Sequence, residues 1–592
     1  MIYMTDETSK YFASGFGRLL HRALLLGLLV VVGSCGSPDK PMAPLFTGAN
    51  PLAGTDLSQA PNILLIVADD MGYTDIGAFG GEIPTPNIDA LAAQGVSFTN
   101  FHVSTVCAPT RAMLLTGVDN HRSGMGTMGI PLPEQRDQPG YSNRLNDQVV
   151  SIGRLLGDAG YHTYMAGKWH LGSNERQRPA DRGFQRSFAL LEAMASHYAS
   201  GPPYIGTYFL DHEEVELPDD FYSTDYYTDK LIEFIGEPTA DEQPFFAYAA
   251  YTAPHAPLHA SPEGIARHQP TYLQGWDILR RQRFDQLKAR GLINKDLEYP
   301  PRAEGVPAWD SLPPAQQRTE ARKMAVYAAM IDNMDVNIGR LLQHLRVTNR
   351  LDNTLVLFMS DNGPDASDIA SSGAWWLPKA LMSLADKSYQ AMGTADSYVS
   401  YGLPWANMGS THLAGHKGTG TEGGIRAPLI VSWPQRYAGA RISHTLTTVV
   451  DIVPTLLNVA GVEHPGDRYR GRPIEVPDGG SLLPLLQGSG QEVARTAAAV
   501  GYELYGGRAL FMGDWKLLAQ RPRHGTGEWE LYNLANDPSE RDDLAAQIPK
   551  RLAAMENAFQ DYVNRNGVIM LPRGEEAQRP SIWGIIKAMW AS

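Results

Sequence analysis

One of only two cysteines in the 592-residue chain, Cys107, opens the run Cys107-Ala108-Pro109-Thr110-Arg111-Ala112-Met113-Leu114-Leu115-Thr116-Gly117. A polar loop turns there into a short apolar helix, with Cys107 near its N-terminus. Backbone N–H groups and the helix dipole at such an end favour an anion, and Arg111 adds a fixed charge with forked donors. The stretch taken alone also fits a half-buried structural cysteine, the usual fate of a free thiol. Two other runs end in paired oxygen side chains: Asn62-Ile63-Leu64-Leu65-Ile66-Val67-Ala68 before Asp69-Asp70, and Thr354-Leu355-Val356-Leu357-Phe358-Met359-Ser360 before Asp361-Asn362. Three carboxylates brought together repel unless a cation joins them, and an all-oxygen set selects a hard ion, calcium before magnesium. Either pair alone reads as an Asx turn or a helix cap; the two together, with the Cys107 run between them, point to a metal.

The elements that must position these residues are strands. Continuous apolar runs suit strands buried on both faces of a parallel sheet, and open α/β sheets bind ligands outside the carboxyl ends of their strands. The stretch Tyr161 to Gly172 reads as a strand breaking into a loop that carries Lys168 and His170. Phe245 to Thr252 is an aromatic-rich strand opening into Ala253-Pro254-His255-Ala256-Pro257, where the prolines hold an extended loop. A glycine-rich loop, Gly415 to Arg426, carries Lys417 and precedes the apolar run Leu429 to Val431. A lone His or Lys in a loop is usually only solvated, so the residues by themselves do not single these out.

Taken together, Cys107-x-Pro109-x-Arg111 with Thr116-Gly117, Ile83-Pro84-Thr85-Pro86-Asn87-Ile88-Asp89, Gly167-Lys168-Trp169-His170-Leu171-Gly172 and Glu422-Gly423-Gly424-Ile425-Arg426 resemble the type I sulfatases, bacterial arylsulfatases in particular. The likeness runs from about residue 61 to about 545, and no motif position departs from the family pattern. It implies an α/β fold over 61–490, with a large mixed, mostly parallel sheet flanked by helices as in alkaline phosphatase. A small C-terminal antiparallel sheet-plus-helix domain is implied over 491–592. In that family a maturation enzyme oxidises the cysteine to formylglycine, here Cys107. Asp69, Asp70, Asp361 and Asn362 would bind one calcium ion, with modified Cys107 as a further ligand. Arg111, Lys168 and Lys417 would neutralise the sulfate and orient the nucleophile. His255 with Lys417 would protonate the departing oxygen, and His170 would help the aldehyde re-form. A hydrated aldehyde offers two hydroxyls on one carbon. One, acidified by the metal, attacks sulfur, and the other lets the aldehyde re-form as sulfate leaves. The implied activity is hydrolysis of an aryl or related organic sulfate, on a small molecule or a carbohydrate. The resemblance leaves two rivals: a phosphonate monoester or phosphodiester hydrolase sharing the cysteine motif, and a non-catalytic lipoprotein that captures sulfated ligands. A mere binding module has no need of Cys107.

Composition is that of a globular protein, too long for one ordinary core. The formal net charge of −14 argues against nucleic acid as a partner, and it requires that an anionic substrate meet a locally positive site. Lys10, Arg18 and Arg22 precede the apolar run Ala23 to Val32, which is too short to span a membrane. The run ends in Val32-Gly33-Ser34-Cys35, which resembles a bacterial lipobox. Residues 1–34 are therefore expected to be a lipoprotein signal peptide and Cys35 a lipidation site. Residues 35–60 would be a flexible tether of roughly 25–30 Å root-mean-square span, holding the enzyme at a membrane in the periplasm or cell envelope. Tyrosines over 196–227, and Trp375, Trp376 and Trp405, read either as rims of a substrate cleft or as loop packing. The amphipathic tail Ile582 to Trp590 reads as packing.

Overall fold

The apolar runs form the middle of one large sheet. In the computed structural model, which describes residues 45–129, 131–202, 206–239, 241–367, 385–437, 439–521 and 524–570, its strands are β1 (Asn62–Ala68), β2 (Gly95–His102), β3 (His162–Lys168), β4 (Arg186–Leu190), β5 (Tyr208–Leu210), β6 (Glu213–Val215), β7 (Phe245–Ala250), β8 (Thr354–Ser360), β9 (Arg426–Ser432), β10 (Arg441–Ser443) and β11 (Thr447–Thr448). Their order is β10-β2-β9-β8-β1-β7-β3-β4-β5-β6, with β11 also on β2. At the centre β1 lies parallel to both β7 and β8, and β7 parallel to β3. β9 is antiparallel to β8 and β2, and the β4–β6 end is antiparallel. The sheet is mixed and mostly parallel at its core, as expected.

Burial on both faces explains why these strands lack a polar alternation. Leu65, Val67, Leu355 and Leu357 face the helices Cys107–Thr116 and Ile452–Ala460, while Leu64, Ile66, Val356 and Phe358 face Ser223–Gly236 and the long helix Pro314–Val347. Successive strand side chains point to opposite faces, so each needs an apolar partner on its own side. The helix Cys107–Thr116 stops at Gly117, whose φ of 71° returns its N–H to the Met113 carbonyl. Such a left-handed cap costs least for glycine.

The C-terminal sheet comprises β14 (Val500–Leu504), β15 (Gly507–Met512), β16 (Trp515–Ala519) and β17 (Glu530–Asn533), all antiparallel, after the short ribbon β12 (Arg468–Tyr469) and β13 (Arg472–Pro473). Leu510, Leu517 and Leu531 on one face pack on Met555, Phe559 and Tyr562 of the helix Pro549–Asn566. The opposite face, with Ala509, Phe511 and Leu518, joins the core of the large sheet.

One expectation changes. Residues 45–60, read as tether, lie against the body instead: Leu45, Leu52 and Leu57 are buried, and Asn50 donates to the Asp158 carbonyl at 2.7 Å. Spaced leucines anchor a stretch whose Pro/Gly/Ser content reads as linker. Of the aromatics that read either as cleft rim or as packing, Tyr208 and Tyr227 are core residues beside Phe188 and Phe221, and Trp405 is enclosed by Tyr272, Trp276 and Trp309. Cys35 with the signal segment, Trp375, Trp376 and Ile582 to Trp590 lie outside the described residues. Among the described residues no helix is long and apolar enough to cross a membrane.

Candidate active site

The carboxyl ends of β1, β2, β3, β7 and β8, and the entry to β9, meet at one edge of the sheet. Asp69 and Asp70 follow β1, Asp361 and Asn362 follow β8, Lys168 ends β3, and His255 sits three residues past Thr252 beyond β7. Cys107 is the first residue of its helix after β2, and Lys417 lies on the loop before β9. The candidate metal-binding and catalytic residues from Asp69 to Lys417 are therefore brought to one place.

Lys168 Nζ donates to Asp69 Oδ2 at 2.7 Å. Arg111 Nε donates to Asp361 Oδ2 at 2.9 Å, and its Nη2 lies 2.8 Å from the same oxygen. Lys417 Nζ reaches both Asp70 oxygens, at 2.7 and 2.8 Å. His255 Nδ1 donates to the Ala256 carbonyl at 2.5 Å, a partner that can only accept. That fixes the tautomer and leaves Nε2 at 3.3 Å from Asp70 Oδ2 and 3.3 Å from Lys417 Nζ. Cys107 Sγ is 3.5 Å from His170 Nδ1. Asp70 and His170 hold φ of 66° and 56°, left-handed values that are uncommon outside glycine and turn both side chains inward.

Burial sets the electrostatics. It raises the Asp69 carboxyl, but Lys168, His255 and Arg111 together hold it well below the usual carboxylate range. Asp361 goes the other way: burial and the neighbouring Asp69, against Arg111, push it up to about 7. Burial raises the Cys107 thiol, with Lys168 and Lys417 opposing. Burial depresses His255, Asp70 offsetting part of this, and it depresses His170 strongly, with Lys168 and Arg111 adding to the effect.

Two oxygens stand apart. Asp69 Oδ1 and Asn362 Oδ1 are buried without a hydrogen-bond partner, in a setting where such groups are costly. Asp69, Cys107 and Asp361 offer ligand atoms within 4.8 Å of one another, as do Asp69, Asp70 and His255. These acid-rich groups could hold a divalent metal ion.

Supporting residues escaped the sequence reading. Asp75 Oδ2 accepts from the Gly72 N–H at 2.8 Å and from Tyr327 Oη at 2.7 Å, bracing the turn that carries Asp70. Tyr248 Oη lies 3.3 Å from Arg111 Nη1. The only available signal was an acid five residues past the Asp-Asp pair and a tyrosine inside an aromatic strand, neither of which distinguishes a brace from packing. Two glycines also meet across the site. A Cβ on Gly363 would lie 1.8 Å from the Gly423 carbonyl oxygen, and the Gly363 N–H bonds the Gly424 carbonyl at 3.0 Å.

A family model described as Sulfatase matches residues 61–462, and one described as N-sulphoglucosamine sulphohydrolase, C-terminal, matches 417–561. The chain is 41% identical over 438 residues to an arylsulfatase of Klebsiella aerogenes, covering 72% of this chain and 92% of that protein. It is 38% identical over 535 residues to an uncharacterised sulfatase of Schizosaccharomyces pombe, covering 87% and 95%. The crystal structure of Ps i-CgsB in complex with k-i-k-neocarrahexaose superposes with a TM-score of 0.60 at 24% identity, over 90% of this chain and 97% of that one, which bears on the fold alone. With the acids, bases and cysteine converging on one sheet edge and these matches spanning both sheets, the chain belongs to the sulfatase family and is a sulfuric ester hydrolase.

Proposed function

We propose that the enzyme hydrolyses an aryl or related organic sulfate using residue 107 as formylglycine and one calcium ion on Asp69, Asp70, Asp361 and Asn362, with residue 107 as a further ligand. The observation that carries the metal reading is the pair of buried, unpartnered oxygens, Asp69 Oδ1 and Asn362 Oδ1, among acids that repel one another without a cation. The metal supplies acidification of the nucleophile and charge for the sulfonyl oxygens. Formylglycine supplies a hydrated aldehyde, whose second hydroxyl lets sulfate depart.

The side chains do the rest. Arg111, Lys168 and Lys417 present fixed positive charge to the sulfonyl oxygens in a water-poor site, where such charge is most effective. His255 Nε2 and Lys417 Nζ, 3.3 Å apart, together protonate the departing oxygen, and a proton from solvent restores the pair. His170, against residue 107, takes the proton released when the aldehyde re-forms. Peptide mass spectrometry of active protein is expected to show an aldehyde or its hydrate at residue 107. Full activity with only unmodified cysteine there would overturn this reading.

Export and anchoring are part of the same proposal. Lipidated Cys35 would hold the enzyme at a membrane of the cell envelope, a formylglycine-generating or equivalent maturation enzyme would act on Cys107, and the substrate would be a small-molecule or carbohydrate sulfate. Cys35→Ser is expected to release the protein from membranes with catalysis intact. A wild type that fails to take up a labelled fatty acid would defeat the anchor.

A further inference from the structure

The glycine-rich loop that carries Lys417 has no regular structure before the short helix Glu422–Ile425, yet it is tied down on three sides. Lys417 N–H bonds the Pro364 carbonyl at 3.0 Å, two residues past Asn362, and Gly418 N–H bonds the Thr105 carbonyl at 2.7 Å, two residues before Cys107. The third tie leads out of the site. Five residues past Lys417, Glu422 is wholly buried, and its Oε2 lies 2.9 Å from His102 Nε2, at the end of β2. Its Oε1 accepts from Lys516 Nζ of β16 at 2.8 Å, and its backbone N–H donates to Glu540 Oε2 at 2.7 Å. Lys516 also pairs with Glu540 at 2.7 Å, both side chains being enclosed. Lys516 lies on the same face of β16 as Leu518, which packs into the main core.

A buried cluster of this kind is poor as a stabilising device, because apolar side chains of the same volume usually serve as well or better. Its geometry gives another reason for it. One carboxylate, Glu422, joins the strand leading to Cys107, the loop bearing Lys417 and a lysine of the C-terminal sheet. We propose that Lys516 and Glu540 are positioning residues: Lys516 from the C-terminal sheet and Glu540 from the loop after β17 fix Glu422, and through it the placement of Lys417 against Asp70 and His255. This rests on the reading of Lys417 and His255 as the groups that serve the leaving oxygen. Neither Lys516 nor Glu540 touches the reacting atoms. Their effect is felt where Lys417 matters most, in substrates whose leaving alcohol needs a proton.

The test is a series of aryl sulfates with phenols of rising pKa, assayed on wild type, Lys516→Met, Glu540→Gln, Lys417→Met and Glu503→Gln. Glu503 also joins the C-terminal sheet to the body through a buried pair, to His121 at 2.9 Å, and so controls for general loosening. Misplacement on the order of 1 Å can cost about 100-fold. Lys516→Met is expected to lose kcat less than about threefold on 4-nitrophenyl sulfate and tenfold or more on 4-methoxyphenyl sulfate. Glu540→Gln should show the same trend more weakly, and Glu503→Gln a parallel profile. If Lys516→Met does not fold, the Glu540→Gln profile decides. A folded Lys516→Met or Glu540→Gln with the wild-type profile, or a Glu503→Gln profile just as steep, would overturn the inference while leaving Lys417 untouched. A flat profile for Lys417→Met would remove the leaving-group role itself, and the inference with it.

Discussion

Two largely buried ionic clusters sit at opposite ends of the Cys107 helix and its continuation, and they are finished differently. Beyond the helix, His121 lies between Asp119 Oδ1 and Glu503 Oε2, each at 2.9 Å. Tyr562 Oη donates to Asp119 Oδ2 at 3.0 Å, and the Gly506 N–H donates to Glu503 Oε1 at 2.8 Å. Each carboxylate oxygen there has a named partner. At the sheet edge, by contrast, Asp69 Oδ1 and Asn362 Oδ1 have none, and Asp70 and His170 hold left-handed backbone. A cluster that serves the fold closes on itself, whereas one built for chemistry keeps lone pairs and strain in reserve for what it binds.

The largest way to break that contrast is Cys107→Ser in a host unable to oxidise serine at this motif. The hydroxyl can approach sulfur, but its sulfate ester has no neighbouring hydroxyl to expel it. Sustained turnover should fall by at least about 10⁴-fold, with melting temperature nearly unchanged and sulfate left on residue 107 by intact mass. Steady turnover by a mutant proven to carry unmodified serine would contradict the mechanism.

Next is the metal. Exhaustive chelation, or Asp361→Ala, should cost on the order of 10²–10³ in kcat/KM and lower the bound calcium measured by elemental analysis. Undiminished activity with no metal detected would count against the site. His121→Gln should leave calcium content as it is.

The closed cluster should answer to pH instead. Burial disfavours the His121 imidazolium, but the hydrogen bonds it donates to Asp119 and Glu503 hold its pKa up at about 9. The folded value exceeds the unfolded one, near 6.5, so this stabilisation is complete below pH 6.5 and is lost as pH rises through 9. The loss amounts to about 3 kcal/mol. The melting temperature of wild type should fall across that window, and His121→Gln should flatten the slope while changing kcat less than about threefold. An unchanged slope would remove the imidazolium from the account. Smallest of all, breaking the exposed Arg281–Asp285 pair should shift stability by no more than about 0.5 kcal/mol.

The open cluster was legible in the sequence; the closed one around His121 and the buried Glu422–Lys516–Glu540 cluster were not. Asp69-Asp70 and Asp361-Asn362 stand out together because two apolar strands that each end in paired oxygen side chains have nothing apolar to do with them. Cys107 and Arg111 lie at fixed offsets in one turn of helix. Lys516 sits in an alternating run between Trp515 and Leu517, and Glu540 in a polar stretch, so both read as solvated surface until the sheet folds onto the body. His121 is equally plain inside Asn120-His121-Arg122-Ser123, because its two carboxylates are supplied by Asp119 next to it and by Glu503, far along the chain. Charge pairing across hundreds of residues leaves no local period to read. The stretch 45–60 failed in reverse: a linker composition hid three leucines that the body covers.

The contact between Gly363 and Gly423 has a bearing on engineering. With no room for even a methyl group between the segment past Asn362 and the segment past Lys417, the reactive centre cannot be widened at that seam. Libraries aimed at bulkier sulfates are better spent on the peripheral loops, and saturation at 363 or 423 should return almost entirely inactive clones.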